Sequence, residues 1–318
     1  MKKLIFLLVG ATIILSSCGG EKAKTERKTQ TALGGVKYGG VFKMNENEDF
    51  RSLYPLNITM AIENRIASQV FEGLVKFNQE DLSIVSSLAE SWEINDDATS
   101  YTFKIAKGVK FHDNNCFDGG KGREVTAVDF KYCLDRACVS DPTNQMYPLL
   151  KDRVKGAKEY HESVNNKTPL EGGVSGITVV DEYTLKIDLN YSFAGFLNIV
   201  SHNAFYLYPK EAVETYGIEM RINCVGTGPF RVKKIKESET VILERNPSYW
   251  KNDEHGNQLP YLDGLKFSFN KEKKAELLEF KKGNLDLVFR LPLEMISDVV
   301  GELEDAKKGG NRPYVMQV

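Results

Sequence analysis

Apolar residues recur at two spacings along this chain, and the alternation between them defines the fold class. Ile62, Ile66, Val70 and Leu74 stand four apart, which sets them on one stripe of a helix over residues 62–74, entered from a Pro-containing loop that starts at Tyr54. Trp92-Glu93-Ile94 is followed by the turn-forming Asn95-Asp96-Asp97; Tyr101, Phe103 and Ile105 then alternate with Thr102 and Lys104. That pattern predicts two short half-buried strands, with Val109 and Phe111 continuing the second. Thr126, with Asp129 three residues on, has the form of a capping box and opens a helix carrying Phe130, Leu134 and Ala137 on one face. Residues 151–176 are charged and Gly-rich without a period. The cleanest strand follows, in which Tyr183, Leu185, Ile187 and Leu189 alternate with Thr184, Lys186, Asp188 and Asn190. Beyond it the sequence predicts a helix near 192–200, a strand near 204–208 and a helix opened by Pro209. A strand pair around Phe230 and Val241 comes next, then a helix over 271–282 running into Leu285-Asp286-Leu287-Val288-Phe289. No internal repeat appears, and the class is α/β with long excursions.

The first residues obey a different logic. Lys2 and Lys3 precede an apolar stretch over residues 4–15, and Leu15-Ser16-Ser17-Cys18 closes it with small residues. The stretch is shorter than the roughly 20 apolar residues that span a bilayer, so residues 1–17 read as a cleavable signal peptide. The Leu-Ser-Ser-Cys ending resembles the lipobox of bacterial lipoproteins, which implies lipid attachment at Cys18 and a chain held at a membrane in the cell envelope, facing the periplasm or the cell surface. Residues 18–35, rich in Gly, Lys, Glu, Thr and Gln, read as a lipid-attached flexible tether. The sequence carries 42 basic and 44 acidic residues, and loss of Lys2 and Lys3 with the leader takes the balance to about −4. With no positive excess and no basic cluster, nucleic acid is excluded as a partner. The hydrophobic share of 42% over this length suffices for about two domains.

Candidate chemistry is sparse. His112, His161, His202 and His255 are far apart, with neither HExxH nor CxxC to build a metal site. There is no GxSxG elbow, and neither Gly226-Thr227-Gly228 nor Gly119-Gly120-Lys121-Gly122 has the frame of a phosphate loop. The sequence therefore reads as a non-enzyme without cofactor or metal. Export permits disulfides among Cys116, Cys133, Cys138 and Cys224 without assigning them. Cys133 and Cys138, five apart on a helix, face different ways; a Cys116–Cys224 bridge and buried free thiols both remain open.

The order of short phrases carries more information than any one of them. Phe71-Glu72-Gly73-Leu74, Leu88-Ala89-Glu90-Ser91-Trp92-Glu93, Tyr101-Thr102-Phe103, Gly108-Val109-Lys110-Phe111-His112-Asp113 and Val125-Thr126-Ala127-Val128-Asp129-Phe130 occur in that order. Gly226-Thr227-Gly228-Pro229-Phe230, Leu243-Glu244-Arg245-Asn246-Pro247-Ser248-Tyr249-Trp250 and Lys282-Gly283-Asn284-Leu285-Asp286 follow. Over residues 38–318 this series resembles extracellular solute-binding family 5, the oligopeptide-, dipeptide- and nickel-binding proteins of ABC importers.

The resemblance implies a periplasmic-binding-protein-like cleft of type II, with two lobes and an extra domain. Lobe I is expected over 36–75 and 175–260, an inserted domain over 76–174, and the start of an incomplete lobe II over 261–318. Family members are longer, so the chain reads as ending where a second-lobe strand should form. The implied function is capture of peptides outside the cytoplasm for delivery to ABC permease subunits. The runners-up are another solute on the same fold, such as a nickel chelate or small compound, and a non-functional truncated remnant. By position in the family pattern, Thr59, Met60 and Ala61 line the cleft largely through their backbone, and Asn246 lies near the ligand backbone. Tyr147, Tyr249 and Trp250 form apolar walls, with packing within the lobe the weightier account of the last two. Trp92, Phe103 and Phe111 read as packing aromatics, and His112-Asp113 as the shaper of a turn.

Overall fold

The structure, a computed structural model, describes residues 31–142, 144–297 and 299. The leader, Cys18 and the tether up to residue 30 lie outside the described residues. Strand β1 (Val41–Glu46) leads through a proline-containing 3-10 turn into helix α1 (Ala61–Val70). Ile62, Ile66 and Val70 are all buried on one stripe of α1. The helix ends four residues before the expected Leu74 because Gly228 N donates to Val70 O at 2.9 Å, while Phe71 turns to extended φ/ψ of −112° and 153°. Leu74 stays buried from an extended segment, its carbonyl accepting from Ala89 N.

A hairpin of β2 (Val75–Phe77) and β3 (Ile84–Ser86) precedes β4 (Ala89–Ile94) and β5 (Ser100–Ile105). Helices α2 (Ala127–Ala137), α3 (Tyr147–Leu150) and α4 (Ala157–Asn165) follow, then β6 (Ile177–Asp181) and β7 (Thr184–Asp188). Strands β4-β5-β7-β6 make an antiparallel sheet in which Tyr101 faces Ile187 and Phe103 faces Leu185, all four buried. The period-2 pattern of both strands arises from this register. Trp92 packs half-buried against the same core, and Phe111 is buried within it. Val109 and Phe111 do not extend β5. The chain reverses at Gly108, whose φ is +76°, and pairs instead with a later segment through Val125 N to Val109 O and Phe111 N to Arg123 O. Helix α2 lies on β6 and β7, and the carboxylate of Asp129 accepts from Thr126 N at 2.9 Å as the capping box requires.

Helices α5 (Phe196–Val200) and α6 (Lys210–Tyr216) lead to β8 (Phe230–Lys236) and β9 (Thr240–Arg245). Between the two helices no strand forms over 204–208. Asn203–Phe205 is a 3-10 turn capped by the His202 ring, and the extended residues after it make one long-range backbone bond, Leu207 N to Glu72 O, beside the local Tyr206 N to Asn203 O, with no ladder. Strand β10 (Gly264–Phe269) and helix α7 (Lys273–Lys281) complete the order. The second four-stranded sheet runs β1-β10-β9-β8, with β1 and β10 parallel from Val41↔Gly264 to Glu46↔Phe269. Strand β10, expected to open a second lobe after residue 260, is thus held between β1 and β9, two strands of the expected first lobe. Residues 285–287 return to β1 as well, through a Met44↔Leu287 parallel bridge and Asp286 N to Lys43 O at 2.8 Å. Cys116, Cys133, Cys138 and Cys224 are free thiols.

Candidate functional site

Two carboxylates organise the region where α1 begins. Glu63, fully buried in the first turn of α1, accepts four backbone N–H groups: Arg51 at 2.9 Å and Ser52 at 3.2 Å on one oxygen, Thr59 at 2.8 Å and Met60 at 3.0 Å on the other. A carboxylate in the first turn also favours the positive end of the helix dipole. It fixes the loop over residues 51–60 from within. The amides of Thr59 and Met60 are thereby committed, and what this loop retains for a ligand is carbonyl oxygen and side chain.

Glu72 lies just past the end of the same helix and is 8% exposed. It accepts from Thr227 Oγ1, Tyr249 Oη and Trp250 Nε1, each at 3.0 Å, and pairs with Lys251 Nζ at 3.4 Å. Three hydrogen bonds and an ion pair on one carboxylate offset the cost of burying its charge. Desolvation raises the pKa of the Tyr249 phenol, and the neighbouring Glu72 carboxylate raises it further. Burial lowers that of the Lys251 ammonium, with Glu72 opposing and Lys76 reinforcing the shift.

The segment carrying Thr227 sits directly on the helix end. A Cβ on Gly226 would lie 2.1 Å from Val70 O and one on Gly228 2.7 Å from it, so only glycine admits this approach. His112, fully enclosed, bonds through Nε2 to Gly228 O at 2.9 Å. Burial lowers its pKa to about 4, so the neutral ring with hydrogen on Nε2 is the form that donates. Asn246 Nδ2 donates to the same carbonyl at 3.1 Å, and Asn246 Oδ1 accepts from Ser248 N at 3.0 Å.

A cavity of about 830 Å³ opens against this framework, lined by Thr59, Met60 and Ala61 at one side and by Glu72, Tyr206, Pro229 and Tyr249 among others. Four of the residues singled out from sequence therefore share one wall: Thr59, Met60, Ala61 and Tyr249. Three do not line it. Asn246 is buried behind it and spends its amide on backbone partners. Trp250 directs its indole N–H to Glu72 and stacks under Lys251 Nζ, 4.6 Å from the ring centroid. Tyr147 packs elsewhere, stacked on His161 with ring centroids 3.8 Å apart. Glu63 and Glu72 escaped the sequence reading. A first-turn acid is a recognised capping signal, but with Met60 in the preceding position the usual Ser, Thr, Asp or Asn is missing. Among the described residues no group of three or more His, Cys, Asp and Glu could hold a metal ion, and no helix is long and apolar enough to cross a membrane.

An α/β frame of this topology with a cavity at the start of α1 is the architecture of type II periplasmic binding proteins. Residues 83–317 match the family of bacterial extracellular solute-binding proteins, family 5, middle region, and the chain belongs to that family. Among curated proteins it is 28% identical over 245 residues to the glutathione-binding protein GsiB of Pectobacterium atrosepticum, covering 77% of this chain and 41% of that one. Among solved structures it is similar to a periplasmic oligopeptide-binding protein of Borrelia burgdorferi, with a TM-score of 0.69 and 26% identity over 82% of this chain and 49% of the other. The fold also matches the periplasmic binding protein DppA of Helicobacter pylori, solved with the peptide STSA, at a TM-score of 0.66 and 23% identity over 84% and 49% of the two chains. The chain thus spans about two fifths to one half of the length of these relatives.

Proposed function

We propose that this chain is the solute-capturing component of an ABC importer, lipid-anchored through Cys18 in the cell envelope, and that its solute is a short peptide. The observation that carries the reading is the cavity at the start of α1, whose lining brings Thr59, Met60 and Ala61 together with Tyr249, 188 residues beyond Ala61. Glu63 takes the Thr59 and Met60 amides and Asn64 N takes the Met60 carbonyl, so the loop keeps the Thr59 carbonyl as an acceptor for an N–H donor of an extended peptide backbone. Tyr249 supplies an apolar face held in place by Glu72. Asn246 and Trp250 act from behind, one on the glycine segment and the other on Glu72. Recognition through main-chain groups and a roomy cavity predicts breadth across side chains and involves no chemical step, in keeping with a non-enzyme. The names of two relatives, one binding glutathione and the other oligopeptides, support a peptide-like solute. Delivery would be to permease subunits of the importer.

Two experiments test this reading. The protein as cells make it, titrated calorimetrically with tri- to pentapeptides, should bind with affinities that vary little with side chain; tight binding of a nickel chelate with no response to any peptide would replace the peptide reading. Radiolabelled palmitate should enter the protein in cells, and Cys18→Ser should abolish labelling. Equal labelling of the variant would remove the anchor.

A further inference from the structure

The charged groups around the cavity do not cancel. Besides tyrosines, five ionisable side chains bear on its charge: Arg65, Glu72, Lys76 and His202 line it, and Lys251 stands behind Glu72; burial lowers the pKa of the His202 ring, which favours its neutral form. Arg65 is matched, its guanidinium forming a fork on the buried Glu46 carboxylate at 2.7 and 2.8 Å. Glu72 and Lys251 form one pair, and the three hydrogen bonds from Thr227, Tyr249 and Trp250 occupy the carboxylate further. The side-chain ammonium of Lys76 on β2 has no hydrogen-bond or ion-pair partner among the described residues, and it is near enough to Lys251 to make that ammonium easier to discharge. One full positive charge is therefore left over at the β2 side of the cavity.

The neutral groups on the wall do not neutralise it. Asn203 also lines the cavity, and its Oδ1 is buried without a donor, so it presents no charge that would offset the ammonium. An exposed ammonium lining the cavity is free to meet a carboxylate brought in by the ligand, in a contact that solvent and salt weaken without abolishing. We infer that Lys76 is a specificity-determining residue that receives an anionic group of the solute, so that the cavity selects solutes carrying a free carboxylate. The inference rests on the solute-binding reading and narrows its class: the solute is anionic at one end and donates N–H groups along its length.

The test uses the protein as cells make it and two probes that differ in one group, trialanine with a free carboxyl terminus and trialanine amide. Wild type should bind the free acid about tenfold more tightly than the amide, the discrimination expected of one charge-assisted contact at a partly solvated site, and the gap should shrink with added salt. Lys76→Gln should bind both probes alike, at the level of the wild type with the amide, and Lys76→Arg should restore the preference. Lys76 is exposed, so the substitutions leave the core intact, and an unchanged near-UV circular dichroism spectrum verifies this. A tenfold preference that survives in Lys76→Gln overturns the inference while leaving peptide binding intact. Binding of neither probe nor any other peptide removes the peptide reading, and this inference with it.

Discussion

His112 combines a donor role with complete burial, and the two together make it a source of pH dependence. Its pKa falls from 6.5 to about 4, chiefly through desolvation, with the Gly228 carbonyl opposing. A base with a depressed folded-state pKa takes up protons more readily when unfolded. Its contribution is thus fully present above pH 6.5 and is lost as the pH falls from there to about 4. The gap corresponds to about 3 kcal/mol. In urea titrations at several pH values, His112→Gln should flatten the wild-type loss of stability across that window; parallel profiles for the two proteins would show that the ring is not the titrating group. Glu72 makes a second residue-scale case. Glu72→Ala would leave the Lys251 ammonium and two hydroxyls without their acceptor, at a cost of about 3–5 kcal/mol, and the Trp250 emission should shift to the red as its indole N–H turns to water. A midpoint change worth under about 1 kcal/mol would mean that the carboxylate is dispensable. Neither role was legible in the sequence. The family phrases around Glu72, Thr227 and Tyr249 stood out as separate phrases, but their partners are 155 and 177 residues away, and no local pattern encodes which phrase meets which.

Helix α2 is the element whose reading from sequence was most complete, because its start depends on residues three apart. Asp129 closes the capping box and also holds Arg123, at 2.6 Å, which in turn grips Glu211 on α6 at 2.6 Å. The two carboxylates are not equal, since Asp129 is 5% exposed and Glu211 32%. Asp129→Ala should destabilise by about 2 kcal/mol, from the lost cap and the buried half of the ion pair, whereas Glu211→Ala should cost about 0–1 kcal/mol. Equal losses in thermal melts would argue that the arginine rather than the cap sets the cost. Strands with strict alternation, β5 and β7, were legible for a comparable reason: their two faces differ in burial. The elements that failed to match are those whose ends are set by distant backbone groups. Helix α1 stops where the glycine segment takes Val70 O, and the extended residues near 206 find Glu72 O as their one distant backbone partner.

At the scale of the molecule, the free thiols report on how uniformly the described region resists opening. Cys133, Cys138 and Cys224 are buried, and desolvation pushes the thiols of Cys138 and Cys224 up to about 12 and that of Cys133 still higher. Cys116 is half-buried, its thiol at about 11. Because the thiolate is the reactive form, alkylation at pH 8 should modify Cys116 first and the other three only at the rate of global opening. A reductant should leave the melting temperature unchanged; a drop would point to a disulfide absent from this fold. The architecture itself was legible from the order of phrases, but the placement of β10 was not. Leu265, Phe267 and Phe269 alternate with Lys266 and Ser268 as in any half-buried strand, and that pattern is the same whichever sheet the strand joins.

That placement bears on the timing of folding. Residue 41 finds its partner at residue 264, so the sheet under the cavity cannot close until nearly the whole described sequence has been made. β1 must therefore wait for β10, more than 200 residues later, before its sheet can close. Until then its backbone donors and acceptors are open to any other strand. The sheet of β4, β5, β6 and β7 draws on residues 89–188 alone and has no such wait. The middle of the described sequence can therefore order locally, while β1 depends on the far end of it.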